Sequence, residues 1–287
     1  MQDTGFLLID KPEGITSFNV IAELRKITRI RKIGHTGTLD PFASGLLLIA
    51  VGNATRFIEF FGDDVKTYEV IAEFGKKTDT GDITGEIIQT DEDKPVNETD
   101  IKQIPDKVKQ ITEQIPPVYS AIKIDGKRAY SLARKQIEVT MPSRSIRIYE
   151  FAILEFQYPQ LKYTCTVSKG TYIRSLTETI GEMLGTIATT TSLRRTRIGN
   201  HSIEEGIPLH NLDNGNWKNN LIPIEKILDK FEHLSLNPEQ GKAFCNGMQI
   251  GMENSVKEGK YLILIQGNLI GIGEIRNSVL SPKKVIG

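Results

Sequence analysis

The chain has 287 residues, 39% of them hydrophobic and 25% charged, with 36 basic and 36 acidic side chains and two cysteines. That length supports about two domains and a core that needs no disulfide or metal staple. Cys165 and Cys245 lie far apart, without a CxxC pair or a histidine cluster, which argues against a zinc site and for a reducing compartment.

No apolar run reaches the ~18 residues of a membrane span. The first nine residues lack a basic start and a cleavage-like site, so they do not read as a secretory leader. A soluble cytoplasmic protein with no membrane association is expected. The zero net charge hides an uneven distribution. Residues 86–106 carry seven acids against Lys94 and Lys102, so the rest of the chain is net basic. Arg25, Lys26, Arg29, Arg31 and Lys32 fall together without an acid, and Arg194, Arg195 and Arg197 form a second cluster. Clustered cations can follow a phosphate backbone even at zero overall charge.

In chain order, the apolar run 6–9 predicts a buried strand entering the turn Lys11-Pro12-Glu13-Gly14. Ser17 is the expected N-cap of a helix whose Val20, Leu24 and Ile27 share one face. A glycine-punctuated loop over 34–45 precedes an apolar strand at 46–51, after which Asn53 is expected to cap a helix carrying Phe57, Ile58 and Phe61. From Thr67 the period becomes two: Tyr68, Val70, Ala72 and Phe74 share one face of a strand. Further strands are predicted at 119–124, ending at the turn pair Asp125-Gly126, and at 146–156 and 162–167. Ile173, Leu176, Ile180 and Met183 trace a helix stripe that Gly185 ends. Asn237, Pro238, Gln240 and Gly247 bracket a last helix before short strands at 261–266 and 269–275. The mixture implies α+β architecture: a mixed, largely antiparallel central sheet flanked by helices in residues 1–232, and a small β-rich domain in 233–287.

Asp40 is the most unusual acid. Gly34, Gly37 and Gly45 free its loop for tight turns, and Pro41 restricts it to extended geometry. It can bond its own loop as an Asx-turn or serve chemistry. No second carboxylate or histidine stands at ligand spacing, so no metal is expected. His35, too, can be a solvated loop histidine or a functional one.

Six stretches resemble, in order along the chain, the motifs of the TruB family of tRNA pseudouridine synthases. Gly34-His35-Thr36-Gly37-Thr38-Leu39-Asp40-Pro41 resembles its catalytic motif, and Asp10-Lys11-Pro12-Glu13-Gly14-Ile15-Thr16-Ser17 its N-terminal one. Lys66-Thr67-Tyr68 is similar to its tyrosine motif and Ser168-Lys169-Gly170-Thr171-Tyr172-Ile173-Arg174-Ser175-Leu176 to its arginine motif; Thr78-Asp79-Thr80-Gly81-Asp82 and Pro116-Pro117-Val118-Tyr119-Ser120-Ala121 also fit. The resemblance implies a pseudouridine synthase fold and a cofactor-free isomerase that converts uridine to pseudouridine in the T-loop of tRNA, at position 55. It makes Asp40 the nucleophile, Arg174 its partner, and Tyr68 a wall for the uracil and a candidate base. Tyr172 and Leu193 fall where the family contacts the substrate base, and His35 where a histidine supports the opened RNA loop.

Elementary chemistry agrees with these roles. The carboxylate either adds to the sugar or removes a ribose proton, and both routes need it ionised in a dry pocket. A guanidinium opposes the desolvation penalty and lowers the pKa. A flipped base regains stacking on aromatic rings. Structural alternatives stand beside each role: Arg174 on the polar side of its helix, Tyr68 and Leu193 in the core.

The last part, with Gly271-Ile272-Gly273, resembles a PUA-type RNA-binding domain, or else is a structural cap. The expected partner is the tRNA T-arm stem-loop, bound by a monomer with no obligate protein partner. The competing readings are a non-catalytic tRNA-folding chaperone, a two-carboxylate glycoside hydrolase and a guide-directed, dyskerin-like synthase.

Overall fold

A computed structural model describes residues 3–61, 64–91, 96–120, 122–124, 126–129, 132, 137 and 139–286. The central sheet is built on β1 (Gly5–Lys11), β2 (Ser44–Val51), β3 (Lys66–Phe74), β4 (Ile148–Gln157), β5 (Gln160–Val167) and β6 (Ala188–Ile198). Their order across the sheet is β4-β5-β3-β6-β2-β1, extended by Ile207–Pro208 beside β1. All pairs are antiparallel except β6 with β2 and β1 with Ile207–Pro208. The sheet is therefore mixed and largely antiparallel, as the α+β reading expected.

Two-residue periodicity decides what each face holds. Leu7 and Ile9 of β1, with Leu47, Ile49 and Val51 of β2, pack on Val20, Ile21 and Leu24 of α1 (Ser17–Thr28). Phe6, Leu8, Leu46, Leu48 and Ala50 point the other way, onto Phe57 and Phe61. β2 is covered on both sides, which is why it reads as an unbroken apolar run. β3 and β5 face a second core against α2 (Glu98–Lys109) and α3 (Ile173–Met183).

Several boundaries differ from expectation. Thr16, not Ser17, caps α1, because its hydroxyl accepts from the Asn19 amide while the Asn19 side chain accepts from the Thr16 amide. Residues Gly52–Phe61 form a 3-10 helix rather than an α-helix, and Asn53 lies inside it, accepting from Lys32. Among the described residues of the stretch 119–124, only Lys123–Ile124 is a strand. Ala121 and Asp125 lie outside the described residues, as do Glu92, Asp93 and Lys94 of the acidic segment.

The chain ends in a five-stranded sheet of β7 (Glu232–Leu236), β8 (Gly259–Ile265), β9 (Asn268–Arg276) and β10 (Val279–Val285), with Ile250–Gly251 at its edge. The helix α4 (Pro238–Cys245) carries the expected Asn237–Gln240 capping box. Gly271 and Gly273 are packing glycines: a Cβ at either would meet the Phe244 ring at 3.0 Å or less.

Candidate active site

The Asp40 loop is held at three places by residues distant in sequence. Leu39, Phe42 and Ala43 sink into the core that also holds Tyr68 and Leu193. Burying Leu39 and Phe42 stabilises the loop by about 1.5–3 kcal/mol each, against about 1–2 kcal/mol per residue of backbone ordering, so hydrogen bonds must supply the rest. They come first from the β1–α1 turn. The Ser17 hydroxyl accepts from the Leu39 amide at 2.9 Å and donates to its carbonyl at 3.2 Å. The Gly14 amide donates to the Pro41 carbonyl at 2.8 Å. The Lys11 ammonium, fully buried, donates to Pro12 and Ile15 at 2.8 Å and reaches Pro41 at 3.5 Å.

The third hold is Arg195, 1% exposed. Its Nε donates to Leu46 at 2.7 Å and its Nη2 to Gly37 at 3.2 Å, so one guanidinium ties both ends of the loop to β6. Gly45 passes the Arg195 backbone so closely that a Cβ would lie 2.3 Å from its carbonyl oxygen, at a φ of +104°. Of the second basic cluster, Arg197 is exposed and the other two are engaged within the fold. Arg195 is internal, and Arg194 pairs with Asp10 at 2.7 Å.

Arg174 is the centre of the constellation. At 4% exposure it is no helix-surface arginine. Its Nε lies 2.9 Å from Asp40 Oδ2, a close ion pair whose N–H is not aimed along the line to the oxygen. Nη1 donates to the Thr80 carbonyl at 2.6 Å and stands 3.5 Å from Asp82 Oδ2, while Nη2 donates to the Tyr119 carbonyl at 2.9 Å. Asp82 is a second buried carboxylate that the sequence reading did not place. Its Oδ1 is taken by Thr80 and by the amide and hydroxyl of Thr84.

Electrostatics differ from expectation in direction. Burial raises the Asp40 pKa above its ordinary value; Arg174 opposes this, Asp82 adds to it and Lys11 opposes it, and burial prevails. The side chain is still about a third exposed (34%), so the acid meets solvent at the opening of the site. Burial pushes Lys11 down to about 8.

Tyr68 stands in β3 opposite Cys165 and Arg195, buried, with its pKa raised by burial and eased by the Arg195 guanidinium; the charge of Asp40 also reaches it. Tyr172 is half-buried at the start of α3 and is clamped by Gln114, whose side chain accepts from the Tyr172 amide at 2.8 Å and donates to its carbonyl at 3.0 Å. Leu193 is buried in the cluster with Leu39 and Tyr68. His35 ends the short strand Ile33–His35; burial and Arg195 lower its pKa, and its Nδ1 is buried without a hydrogen-bond partner. Among the described residues no group of His, Cys, Asp or Glu is placed to hold a metal.

The sequence matches the TruB family pseudouridylate synthase N-terminal domain over residues 25–173 and the TruB pseudouridine synthase II C-terminal domain over 233–286. Two relatives named tRNA pseudouridine synthase B are similar over nearly their whole length. That of Clostridium kluyveri is 40% identical over 94% of each chain; that of Aquifex aeolicus is 37% identical over 98% of this chain and 99% of its own. A crystal structure of a Cbf5-Nop10-Gar1 complex aligns with a TM-score of 0.74 at 26% identity, over 98% of this chain and 84% of that one. The fold, the Asp40–Arg174 pair and the match along most of the sequence converge: the chain belongs to the TruB family of pseudouridine synthases.

Proposed function

We propose that this protein converts uridine to pseudouridine in the T-loop of tRNA, at position 55, with Asp40 as the nucleophile. The observation that carries this reading is the 2.9 Å contact between Asp40 and a buried arginine, on a carboxylate that remains open on one side. The target nucleotide must leave its loop to reach that depth, a cost of a few kcal/mol that contact with Tyr68 and Tyr172 offsets. The carboxylate attacks C1′ and expels the uracil, or removes a ribose proton to give a glycal. The uracil turns, its C5 bonds to C1′ as the carboxylate leaves or returns the ribose proton, and the C5 proton is lost while N1 gains one, so no atom is gained or lost overall. The resting Tyr68 phenol is protonated, so its first role is the wall behind the base. To take the C5 proton it must lose its own, which the Arg195 guanidinium favours. Leu193 lines the same wall, and His35, largely neutral, offers a flat ring to the vacated loop.

A hydrolase reading needs a second acid facing Asp40 across the bond. Asp82 lies beyond Arg174 with its oxygens occupied, so that reading finds no support. The test is to incubate the protein with unmodified tRNA transcript and map pseudouridine. Product at the T-loop uridine, lost in Asp40→Asn while tRNA binding persists, is the expected result. Turnover by Asp40→Asn would remove that residue from the chemistry, and binding without turnover by the wild type would favour a folding chaperone.

A further inference from the structure

We propose that the solvent stripe of α1 is a track for the substrate RNA strand, on which Phe18 stacks an unpaired base beside the target uridine. The proposal rests on the activity proposed above and adds a contact to it. Of the eleven phenylalanines, Phe18 alone is on the surface, at 64% exposure. It follows Ser17, whose hydroxyl holds the residue preceding Asp40, so the ring is carried on the same first turn of α1 that anchors the Asp40 loop.

The helix period then sets what lies beyond. Phe18, Ala22 and Arg25 recur at i, i+4 and i+7, one line along a helix of 3.6 residues per turn, and Arg29 follows as its left-handed C-cap. Ala22 leaves the middle of the line low. Arg25 and Arg29 are exposed, and neither forms an ion pair among the described residues. The neighbouring Lys26, by contrast, is matched by Glu23 at 2.9 Å. Arg25 Nε donates to the Arg31 carbonyl at 3.0 Å, which tethers the exposed guanidinium at the end of the helix. The negative end of the helix dipole lies here, so a phosphate is held by the side chains and not by the backbone. An exposed ring beside the loop's anchor, followed by unmatched cations, suits a single strand leaving an opened loop, because its splayed bases seek aromatic platforms while its phosphates seek arginine.

The experiment measures binding of an unmodified T-arm stem-loop to Asp40→Asn protein, so that no turnover intervenes. Adding Phe18→Ala raises the Kd about tenfold and leaves the salt slope unchanged. Arg25→Gln and Arg29→Gln each flatten the slope of log Kd against log salt by about 0.7. Phe18→Trp binds as the parent does, and its indole emission is quenched by the RNA against the buried Trp217 background. An unchanged Kd in Phe18→Ala, an unquenched Phe18→Trp, or salt slopes that ignore both arginines overturns the track. So does a Phe18→Ala effect confined to self-association of the protein. Turnover of the same stem-loop by wild type is scored separately, so its failure counts against the proposed activity and not against the track.

Discussion

Burial raises the Asp40 pKa while Arg174 and Lys11 lower it, and the net rise has a consequence for stability. Between the unfolded value near 3.8 and the higher folded value, the native state binds more protons than the unfolded chain. Stability therefore falls as pH rises through that window, and the full penalty applies above it. Asp40→Asn removes the penalty, so calorimetry should give the variant a higher Tm than wild type at pH 7, with the difference vanishing below about pH 4. A lower Tm at pH 7 would contradict the sign. Arg174 works oppositely. Both it and Asp82 are buried, so Arg174→Met leaves an uncompensated carboxylate and should cost about 3–5 kcal/mol in urea unfolding; adding Asp82→Asn should recover part of that. Lys11, at about 8, carries its charge at neutral pH and loses it above. From about 8 to 10.5 the native state binds fewer protons than the unfolded one, so this residue makes stability rise with pH. Activity should move the other way, with an alkaline limb in kcat/KM at an apparent pKa of about 8, because Asp40 loses one of its two balancing cations.

At the scale of elements, the meeting of β2 and β6 fixes the far end of the catalytic loop. Arg194 and Arg195 pair with Ser44 and Gly45, and the glycine's positive φ and missing Cβ permit that approach. Gly45→Ala imposes backbone strain of about 1–3 kcal/mol before the clash is counted. Urea melts should show at least that loss, and single-turnover assays a slower chemical step with RNA affinity retained. The elements that were legible from sequence are those with a local signature: the alternation of β3, the apolar run of β2, the stripe of α3 and the capping box of α4. The 3-10 helix at Gly52–Phe61 shows the same apolar spacing as an α-helix over so short a run, and its backbone pattern is set by packing on β1 and β2. Within the site, Asp40, Tyr68 and Arg174 follow from motifs, whereas Arg195 and Asp82 do not. In sequence Arg195 stands with its cationic neighbours, and the partners that satisfy it are carbonyls about 150 residues earlier in the chain. Asp82 waits on an arginine 92 residues later. Sequence pattern shows which residues are charged; only the fold shows which charges are enclosed.

At the scale of the molecule, the two-domain reading invites a picture of a catalytic body with a small module swinging beside it. The packing supports a different proposal. Leu262, Leu269 and Ile272 of the C-terminal sheet belong to one apolar cluster with Phe6, Leu8, Leu46, Leu48 and Phe57. Lys284 pairs with Glu59 at 2.7 Å, and Arg56 donates to the Val285 carbonyl at 2.7 Å. Burial of Leu262, Leu269 and Ile272 is worth roughly 5–9 kcal/mol together, which is comparable to the roughly 5–15 kcal/mol that keeps a domain folded. The exposed ion pair adds little by comparison. The 3-10 helix and the C-terminal sheet therefore share one core with the face of β1 and β2 opposite α1, and β2 leads directly out of the Asp40 loop. A chain ending after residue 232 should aggregate or melt well below the full protein and should lose turnover along with stability, although every motif of the site remains. The intact chain should unfold in a single calorimetric transition. A soluble, active fragment, or two separated transitions in the full protein, would show that the C-terminal sheet is an independent module and not the second wall of the catalytic core.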